Sequence, residues 1–229
     1  MFTPSDRNIK NVSTADFAYQ EIKEKIILGE LQAEESIVEE RLARLLDISR
    51  TPLREALHRL ELEELVLRKL NGRLMVAPIS VQEVKEIFII RSLLEGVVVS
   101  QAAEKGTAKQ ISHLERLMQM FEIALEVGEI DELLYLGGQF HSYIYEMSGN
   151  KTAIKILMQL NDHIHRYRRF VPRESPEERN SLKEHKEIMK EIKGKNPEKA
   201  KRAMERHILN SLEVVVSALE NERKDDHGE

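Results

Sequence analysis

Hydrophobic residues recur along most of this chain at the three- to four-residue spacing of amphipathic helices. Before residue 66 the pattern predicts three helices, at about 14–28, 38–46 and 52–65. Their apolar positions are Phe17, Ile22 and Ile26, then Leu42, Leu45 and Leu46, then Leu53, Ala56, Leu57 and Leu60. Ser13 or Thr14 can cap the first helix, and Thr51 is the expected N-cap of the third, with Pro52 at its first helical position. Beyond Leu65 two short strands are predicted around Asn71-Gly72, a pair typical of β-hairpin turns.

From Ser80 onward the pattern changes to long amphipathic helices without strand signals. Six are predicted, separated by glycine and proline breaks, at about 81–104, 107–127, 130–148, 151–171, 177–193 and 197–222. The charged tail after Glu222 is expected to be disordered. The predicted fold class is therefore mainly α: a winged helix-turn-helix domain at 1–79 and an all-helical antiparallel bundle at 80–229.

Composition and charge narrow the classes of partner. The net charge of −5 argues against coating nucleic acid by charge alone. Residues 1–79 hold 12 Lys and Arg against 14 Asp and Glu, so any cations that bind DNA there must be gathered on one face. The absence of cysteine excludes disulfides and thiolate metal sites. No signal peptide is recognisable, and no apolar run approaches the roughly 18–20 residues of a membrane span. We expect a cytoplasmic protein.

The third helix carries the candidate DNA-reading residues. Arg50 and Arg54 are four residues apart and would lie on its outer side, near its N-terminus. Arginine can donate two parallel hydrogen bonds to guanine O6 and N7 and can also bind phosphate. Ser49, Thr51 and the backbone at the helix start suit a phosphate. On the hairpin, or wing, the candidates for backbone or minor-groove contacts are Arg68, Lys69, Asn71, Gly72 and Arg73.

The segment EERLARLLDISRTPLREALHRLELEELV, with SRTPLREAL as its most specific part, resembles the winged helix-turn-helix signature of the GntR superfamily of bacterial repressors. The remainder resembles the all-helical effector domain of the FadR subgroup, the FCD domain. The resemblance implies that Arg50 and Arg54 contact operator DNA and that the wing tip at Asn71-Gly72 enters the minor groove. Some family members use a basic residue in the second helix, where this chain reads Glu39-Glu40-Arg41.

Three predicted helices of the second domain each place one histidine on the apolar face, namely His141, His185 and His207. Imidazoles converging from different helices suit a borderline divalent ion such as zinc, nickel or manganese. For each histidine alone, a hydrogen-bonded core residue is the competing interpretation. His113, His163 and His165 lie off or beside their stripes and are predicted at the surface or rim.

The resemblance to metal-binding FCD domains extends to the histidines but not to position 137. Those domains carry an Asp four residues before the first histidine, and here that position is glycine. Gly137 and Gly138 in mid-helix each cost about 1 kcal/mol relative to alanine, so close packing or a ligand cavity should compensate. We expect a cavity in which an effector or water supplies the missing oxygen donor.

Arg91 is the candidate residue for binding the acid group of an effector. The resemblance implies this role, because related proteins place an arginine there that contacts the effector's acid group. A buried guanidinium needs an anion, so a small carboxylic acid is the expected effector class, with Asn161 as a further lining residue. Alternatively, Arg91 and Glu95 form an ion pair at i, i+4.

Three functions compete at this point. The first is a ligand-responsive regulator, with repression as the expected output, that binds a palindromic operator in double-stranded DNA as a homodimer. The second is a metal-dependent hydrolytic enzyme using the three histidines, which is disfavoured because no HExxH motif, nucleophile elbow or phosphate-binding glycine loop is present. The third is a helical scaffold without DNA binding. The first is our prediction, and the chain is predicted not to be an enzyme.

Overall fold

The computed structural model of the protein describes residues 13–171 and 177–227. Its contacts separate two units, Met1–Ile79 and Ser80–Glu229. The first contains α1 (Thr14–Leu28), β1 (Ser36–Ile37), α2 (Glu39–Leu45), α3 (Arg50–Leu62), β2 (Val66–Arg68) and β3 (Leu74–Val76). The strands form one antiparallel sheet in the order β1-β3-β2. The predicted class, a helix-turn-helix with a small wing followed by helices, is confirmed.

The first unit has one hydrophobic core, to which α1 and α3 contribute four buried residues each. Leu53, Ala56, Leu57 and Leu60 are fully buried there, as predicted, together with Ile22 and Ile26 of α1. The side-chain oxygen of Ser13 accepts a hydrogen bond from the Asp16 N–H at the start of α1. Gly29 ends that helix with φ 77°, a conformation that glycine adopts without strain.

Four details of this unit correct the sequence analysis. Leu45 is 64% exposed, because a helix as short as α2 buries one narrow face, and Leu42 and Ala43 occupy it. Phe17 is also exposed. α3 begins at Arg50, so Ser49 rather than Thr51 is its N-cap, and the proline still lies in the first turn, where its missing N–H is not needed. The strand β1 was not predicted, since two residues are too few to show an alternating pattern.

The second unit consists of six helices in its described part: α4 (Val81–Lys105), α5 (Ala108–Val127), α6 (Ile130–Ser148), α7 (Lys151–Arg168), α8 (Glu177–Lys193) and α9 (Pro197–His227). Side chains cap the starts of α4, α5 and α7, and left-handed glycines end α5 and α6. α4 packs along α9 and against α6. None of the helices in the described residues is long and apolar enough to cross a membrane.

The end of α9 differs from the expectation. The helix continues to His227, whereas the tail beyond Glu222 was predicted to be disordered. Neither glycine nor proline occurs between Pro197 and Gly228, so the local sequence gives this helix no reason to end earlier. The predicted proline break between α7 and α8 lies outside the described residues.

Candidate functional site

The first candidate site is the outer face of α3, where the predicted DNA-reading side chains lie. Arg50 and Arg54 are exposed there, with 58% and 64% of their side chains accessible, because their neighbours Leu53 and Leu57 occupy the inner face. Ser49 and Thr51 are exposed at the helix start, where unsatisfied backbone N–H groups favour an anion. The structure therefore brings these four residues together on one surface.

The wing tip has a defined conformation. Gly72 has φ 79°, and its N–H donates to the Lys69 carbonyl at 2.8 Å. The Asn71 side-chain oxygen accepts from the Arg73 N–H at 3.1 Å, and Arg68 donates to the Gly72 carbonyl at 3.3 Å. Arg68, Asn71, Gly72 and Arg73 are all exposed. These contacts hold the two strands in register and present the predicted wing residues to solvent.

Three of the predicted DNA-reading arginines face a glutamate, which the sequence analysis did not foresee. Arg54 Nε donates to Glu39 Oε2 at 2.8 Å, and Arg68 Nη2 donates to Glu61 Oε2 at 2.6 Å. Arg50 Nη2 lies 3.6 Å from Glu40 Oε2, so a third pair follows the same pattern. Glu40 and Arg50 line a shallow concavity beside the turn between α2 and α3. The surface therefore carries arginines whose charge is largely balanced within the unit.

The second candidate site is a cluster of three buried histidines, which we call the histidine cluster: His141 on α6, His185 on α8 and His207 on α9. Their side chains meet through Nε2 atoms. His207 Nε2 lies 3.1 Å from His185 Nε2 and 3.3 Å from His141 Nε2. Zinc–nitrogen distances of roughly 2.0–2.1 Å would place two donors of a tetrahedral site about 3.3–3.4 Å apart. Two of the three donor pairs thus have nearly the spacing that a divalent metal ion requires, and one ligand atom from each of the three histidines lies within 4.8 Å of the other two.

Two carboxylates fix the protonation of these imidazoles. His141 Nδ1 lies 2.6 Å from Glu95 Oε2, and His207 Nδ1 lies 2.6 Å from Glu184 Oε2. A carboxylate oxygen only accepts, so each Nδ1 carries the proton and each Nε2 keeps its lone pair. Two lone pairs that face each other at 3.3 Å repel unless a cation or proton lies between them. The histidine cluster therefore fits a metal ion better than a simple packed core.

Burial keeps the imidazoles neutral. It lowers the pKa of His141 to about 4, although Glu95 acts in the opposite direction. It also lowers the pKa of His207, and that of His185 well below its ordinary value. Neutral imidazole is the form that binds a metal, so the site is ready for one at neutral pH. Among the described residues His185 Nδ1 is a buried ring nitrogen without a hydrogen-bond partner.

Glu95 is also the partner of Arg91. The Arg91 guanidinium is buried, and its Nε donates to Glu95 Oε1 at 2.6 Å. Burial would raise the pKa of Glu95, but Arg91 and His141 hold it well below its usual range. The structure thus favours the ion pair over the expectation that Arg91 awaits an effector anion, because the anion is already present in the protein.

The structure also gives the positions of the remaining residues that the sequence analysis considered for the cavity or its rim. A Cβ added to Gly137 would lie 3.5 Å from Phe121 Cε2 and 4.0 Å from His185 Cε1, so this position does border the histidine cluster. Asn161 is half-buried on α7, and its place beside the cluster stays a prediction. His165 is exposed, as predicted, but His163 is buried, because it lies on the face of α7 that also buries Ile164 and Tyr167. Its Nδ1 lies 3.5 Å from the Tyr167 hydroxyl oxygen.

Sequence reasoning missed Glu95 and Glu184. The sequence indicates Glu95 only as an i, i+4 partner of Arg91. Its second partner, His141, lies on another helix, and the local sequence gives no signal for that contact. Glu184 directly precedes His185, and adjacent positions of a helix point to different faces, so the apolar stripe through His185 gives no signal for it. Burial alone would raise the pKa of Glu184, but hydrogen bonds from His207 and Asn210 lower it. Carboxylates that orient histidine ligands are common around metal sites.

Comparisons with known proteins identify the family to which each unit is similar. Residues 86–210 match the FCD domain, and residues 14–76 match the family described as bacterial regulatory proteins, gntR family. YdhC of Bacillus subtilis (strain 168), described as an uncharacterized HTH-type transcriptional regulator, is 29% identical over 88% of this chain and 91% of its own. The HTH-type transcriptional repressor RspR of Escherichia coli (strain K12) is 26% identical over 74% of each chain. The structure of E. coli McbR/YncC has the same fold, with a TM-score of 0.74, 21% identity and coverage of 90% of this chain and 99% of that one.

Proposed function

Because the chain belongs to the GntR family of bacterial regulatory proteins and is a transcriptional regulator with an FCD domain rather than an enzyme, we propose that it binds a palindromic operator as a homodimer. We further propose that a small carboxylic acid, with a divalent metal ion in the histidine cluster, controls that binding. The convergence of three Nε2 atoms on one point is the observation that carries the second part. The expected output is repression, and the expected location is the cytoplasm.

The DNA-binding proposal rests on α3. Arg50 and Arg54 extend from its outer face, beside a helix N-terminus that favours phosphate. In this arrangement Ser49 and Thr51 bind the backbone, the two arginines read base edges, and Arg68, Asn71, Gly72 and Arg73 contact the neighbouring groove. Since such a helix reads only a few base pairs, two copies are needed for a specific site.

The test uses the full chain and duplexes that it selects from a randomised pool. Arg50→Ala and Arg54→Ala should each relax the choice at one base pair by about 10- to 100-fold, the worth of a bidentate arginine–guanine contact. Lys109→Ala, which removes an exposed cation from α5, should leave selection unchanged. Unchanged selection by both arginine variants would contradict the proposed DNA surface.

The dimer proposal rests on α4. Its exposed side includes Ile89, Ile90, Leu93 and Val97, with exposures between 41% and 58%. Residues 89, 93 and 97 are four apart and form a continuous apolar stripe on a helix whose other side is already packed against α9 and α6. A stripe of this kind is typical of a protein interface. A second copy is the partner that a palindromic operator requires, so we place the dimer contact here.

The metal proposal names the ligands and their orienting groups. His141, His185 and His207 would hold the ion, and Glu95 and Glu184 would orient the first and the last of them. Because the three imidazoles are neutral, no anionic protein ligand would contact a divalent ion directly, and the carboxylate of an organic acid would supply one. Arg91 then acts through Glu95 rather than on the effector, and a role for Asn161 in lining the site stays a prediction.

Calorimetry with zinc alone tests the histidine cluster. The wild-type chain should bind one zinc ion per protomer, and His141→Ala or His207→Ala should weaken binding at least 100-fold. His113→Ala is the matched control, since His113 lies outside the cluster on α5. Equal zinc affinity in all of these variants would refute the metal site, and it would leave the DNA-binding proposal standing.

A further inference from the structure

Arg54 reaches a glutamate through one edge of its guanidinium only. Its Nε donates to Glu39 Oε2, which leaves the Nη1–Nη2 edge available for two parallel hydrogen bonds to a base. We infer that Glu39 is a positioning residue for Arg54, which raises the sequence specificity of DNA binding by orienting that edge and by repelling phosphate. This inference rests on the proposed DNA-binding function and adds a specificity-determining residue to it.

Glu39 is the better fixed of the two partners. It is the first residue of α2, where a carboxylate interacts favourably with the helix dipole, and only 26% of its side chain is exposed. Arg54 is 64% exposed and has the long, freely rotating side chain. An arginine side chain carries roughly 2 kcal/mol of rotamer entropy, part of which is lost on binding. A fixed carboxylate on Nε restricts the guanidinium before DNA arrives, so less is lost in the complex.

The charge of Glu39 separates the two kinds of DNA contact. Guanine presents neutral acceptors to the Nη edge, and a nearby carboxylate does little to oppose that contact. A phosphate is an anion, and the same carboxylate repels it. Because contacts to phosphate supply most non-specific affinity, a glutamate beside the reading arginine weakens binding to random DNA more than binding to the correct site.

The same pattern occurs twice more on this surface. Glu40 lies 3.6 Å from Arg50, and Glu61 pairs with Arg68 on the wing. The unit as a whole carries two more acidic than basic residues, counted over residues 1–79. An excess of acid on a DNA-binding unit is costly unless the acids contribute to discrimination. Of the two pairs whose arginine lies on α3, Glu39–Arg54 has the shorter contact, 2.8 Å against 3.6 Å for Glu40–Arg50, which makes it the pair to test.

The experiment is a double-mutant cycle on the full chain, with Glu39→Gln, Arg54→Ala and the combination of both. Glutamine keeps the shape and one acceptor oxygen of Glu39 but removes the charge. Three duplexes serve as probes: the sequence that the wild type selects from a randomised pool, the same sequence changed at the base pair where Arg54→Ala relaxes selection, and a random duplex. Glu55→Gln is the control, since Glu55 is an exposed carboxylate next to Arg54 on α3.

We expect Glu39→Gln to bind the random duplex several-fold more tightly and to discriminate at the Arg54 base pair about 10-fold less. The log–log salt slope on random DNA should steepen by about one, as for one added phosphate contact. In the Arg54→Ala background Glu39→Gln should change discrimination no further, whereas Glu55→Gln should leave it intact in both backgrounds. Equal melting temperatures would show that the variants fold alike.

Two results would overturn the inference without touching the proposed function: unchanged discrimination in Glu39→Gln, or an equal loss with and without Arg54. A wild-type chain that selects no sequence would instead refute the proposed function, and the role of Glu39 with it. If Glu55→Gln reproduces every change seen with Glu39→Gln, the changes come from a general loss of negative charge. That result would also contradict a positioning role for Glu39.

Discussion

Restoring a carboxylate at position 137 should tighten metal binding at the histidine cluster. Gly137→Asp places an oxygen donor one helical turn before His141, where the added Cβ would lie 4.0 Å from His185 Cε1. The atom nearest to this Cβ would be Phe121 Cε2 at 3.5 Å, which is an ordinary van der Waals contact, so the Cβ fits without a clash. The carboxylate oxygens extend roughly 2.4 Å beyond Cβ, far enough to approach the point where the three Nε2 atoms converge.

The size of the effect follows from two opposing energies. A unit charge pair about 4 Å apart at an effective dielectric constant near 20 gains about 4 kcal/mol, and a divalent ion increases this gain. Burying the carboxylate costs several kcal/mol. We expect a net gain of about 1–3 kcal/mol, which is a 10- to 100-fold lower Kd for zinc. Without metal the buried carboxylate lacks a cation, so the melting temperature of Gly137→Asp should fall and then rise steeply on adding zinc.

Gly138→Asp is the matched control, since it adds the same charge to the same helix and its Cβ would meet nothing within 4 Å. Zinc titrations of both variants by calorimetry, with melting curves in the presence and absence of zinc, make the comparison. The reasoning is refuted if the two variants bind zinc with equal affinity, or if Gly137→Asp binds more weakly than the wild type.

Three further predictions concern the second unit. Glu184→Gln should weaken zinc binding by about 10- to 100-fold, because it removes the carboxylate that holds the His207 proton at Nδ1; calorimetry that finds wild-type affinity would contradict this. Leu93→Glu should yield a monomer in sedimentation analysis, whereas Val127→Glu, at an exposed apolar position on α5, should stay dimeric. In the metal-free chain the unfolded state binds more protons than the folded state between pH 6.5 and 4, because the folded pKa of His141 is lowered to about 4. The free energy of unfolding should therefore fall as the pH drops through this window, by up to about 3 kcal/mol from His141, and urea titrations at pH 7 and pH 5 that coincide would contradict it.

Several helix boundaries were predictable because their causes are local, whereas the start of α3 and the end of α9 were not. Ser13 and Gly29 act on the helix that they flank, and so does the Thr107–Gln110 capping box of α5. The inward direction of His141 also followed from its place on a 3.6-residue stripe. In such cases the sequence within one or two turns contains the relevant physics.

The contacts that define the sites were less predictable because they join distant parts of the chain. Glu95 and His141 are 46 positions apart, and Glu184 and His207 are 23 apart. Their meeting depends on how α4, α6, α8 and α9 pack, which a pattern along one helix does not contain. The pair Arg54 and Glu39 joins two helices in the same way, so composition revealed the excess of acid without showing where it lies.

The length and continuity of α4 have a mechanical consequence. The helix starts at the Ser80 cap, the first residue of the second unit, and carries Glu95, which holds a histidine, fifteen residues or about 22 Å further along. An unbroken hydrogen-bonded helix is stiff, so a tilt or axial rotation imposed at Glu95 reaches Ser80 with little loss. If the histidine cluster binds a metal ion as proposed, a change in the coordination of His141 would therefore change the direction of α4 at Ser80, the residue at which the second unit follows the first in the sequence.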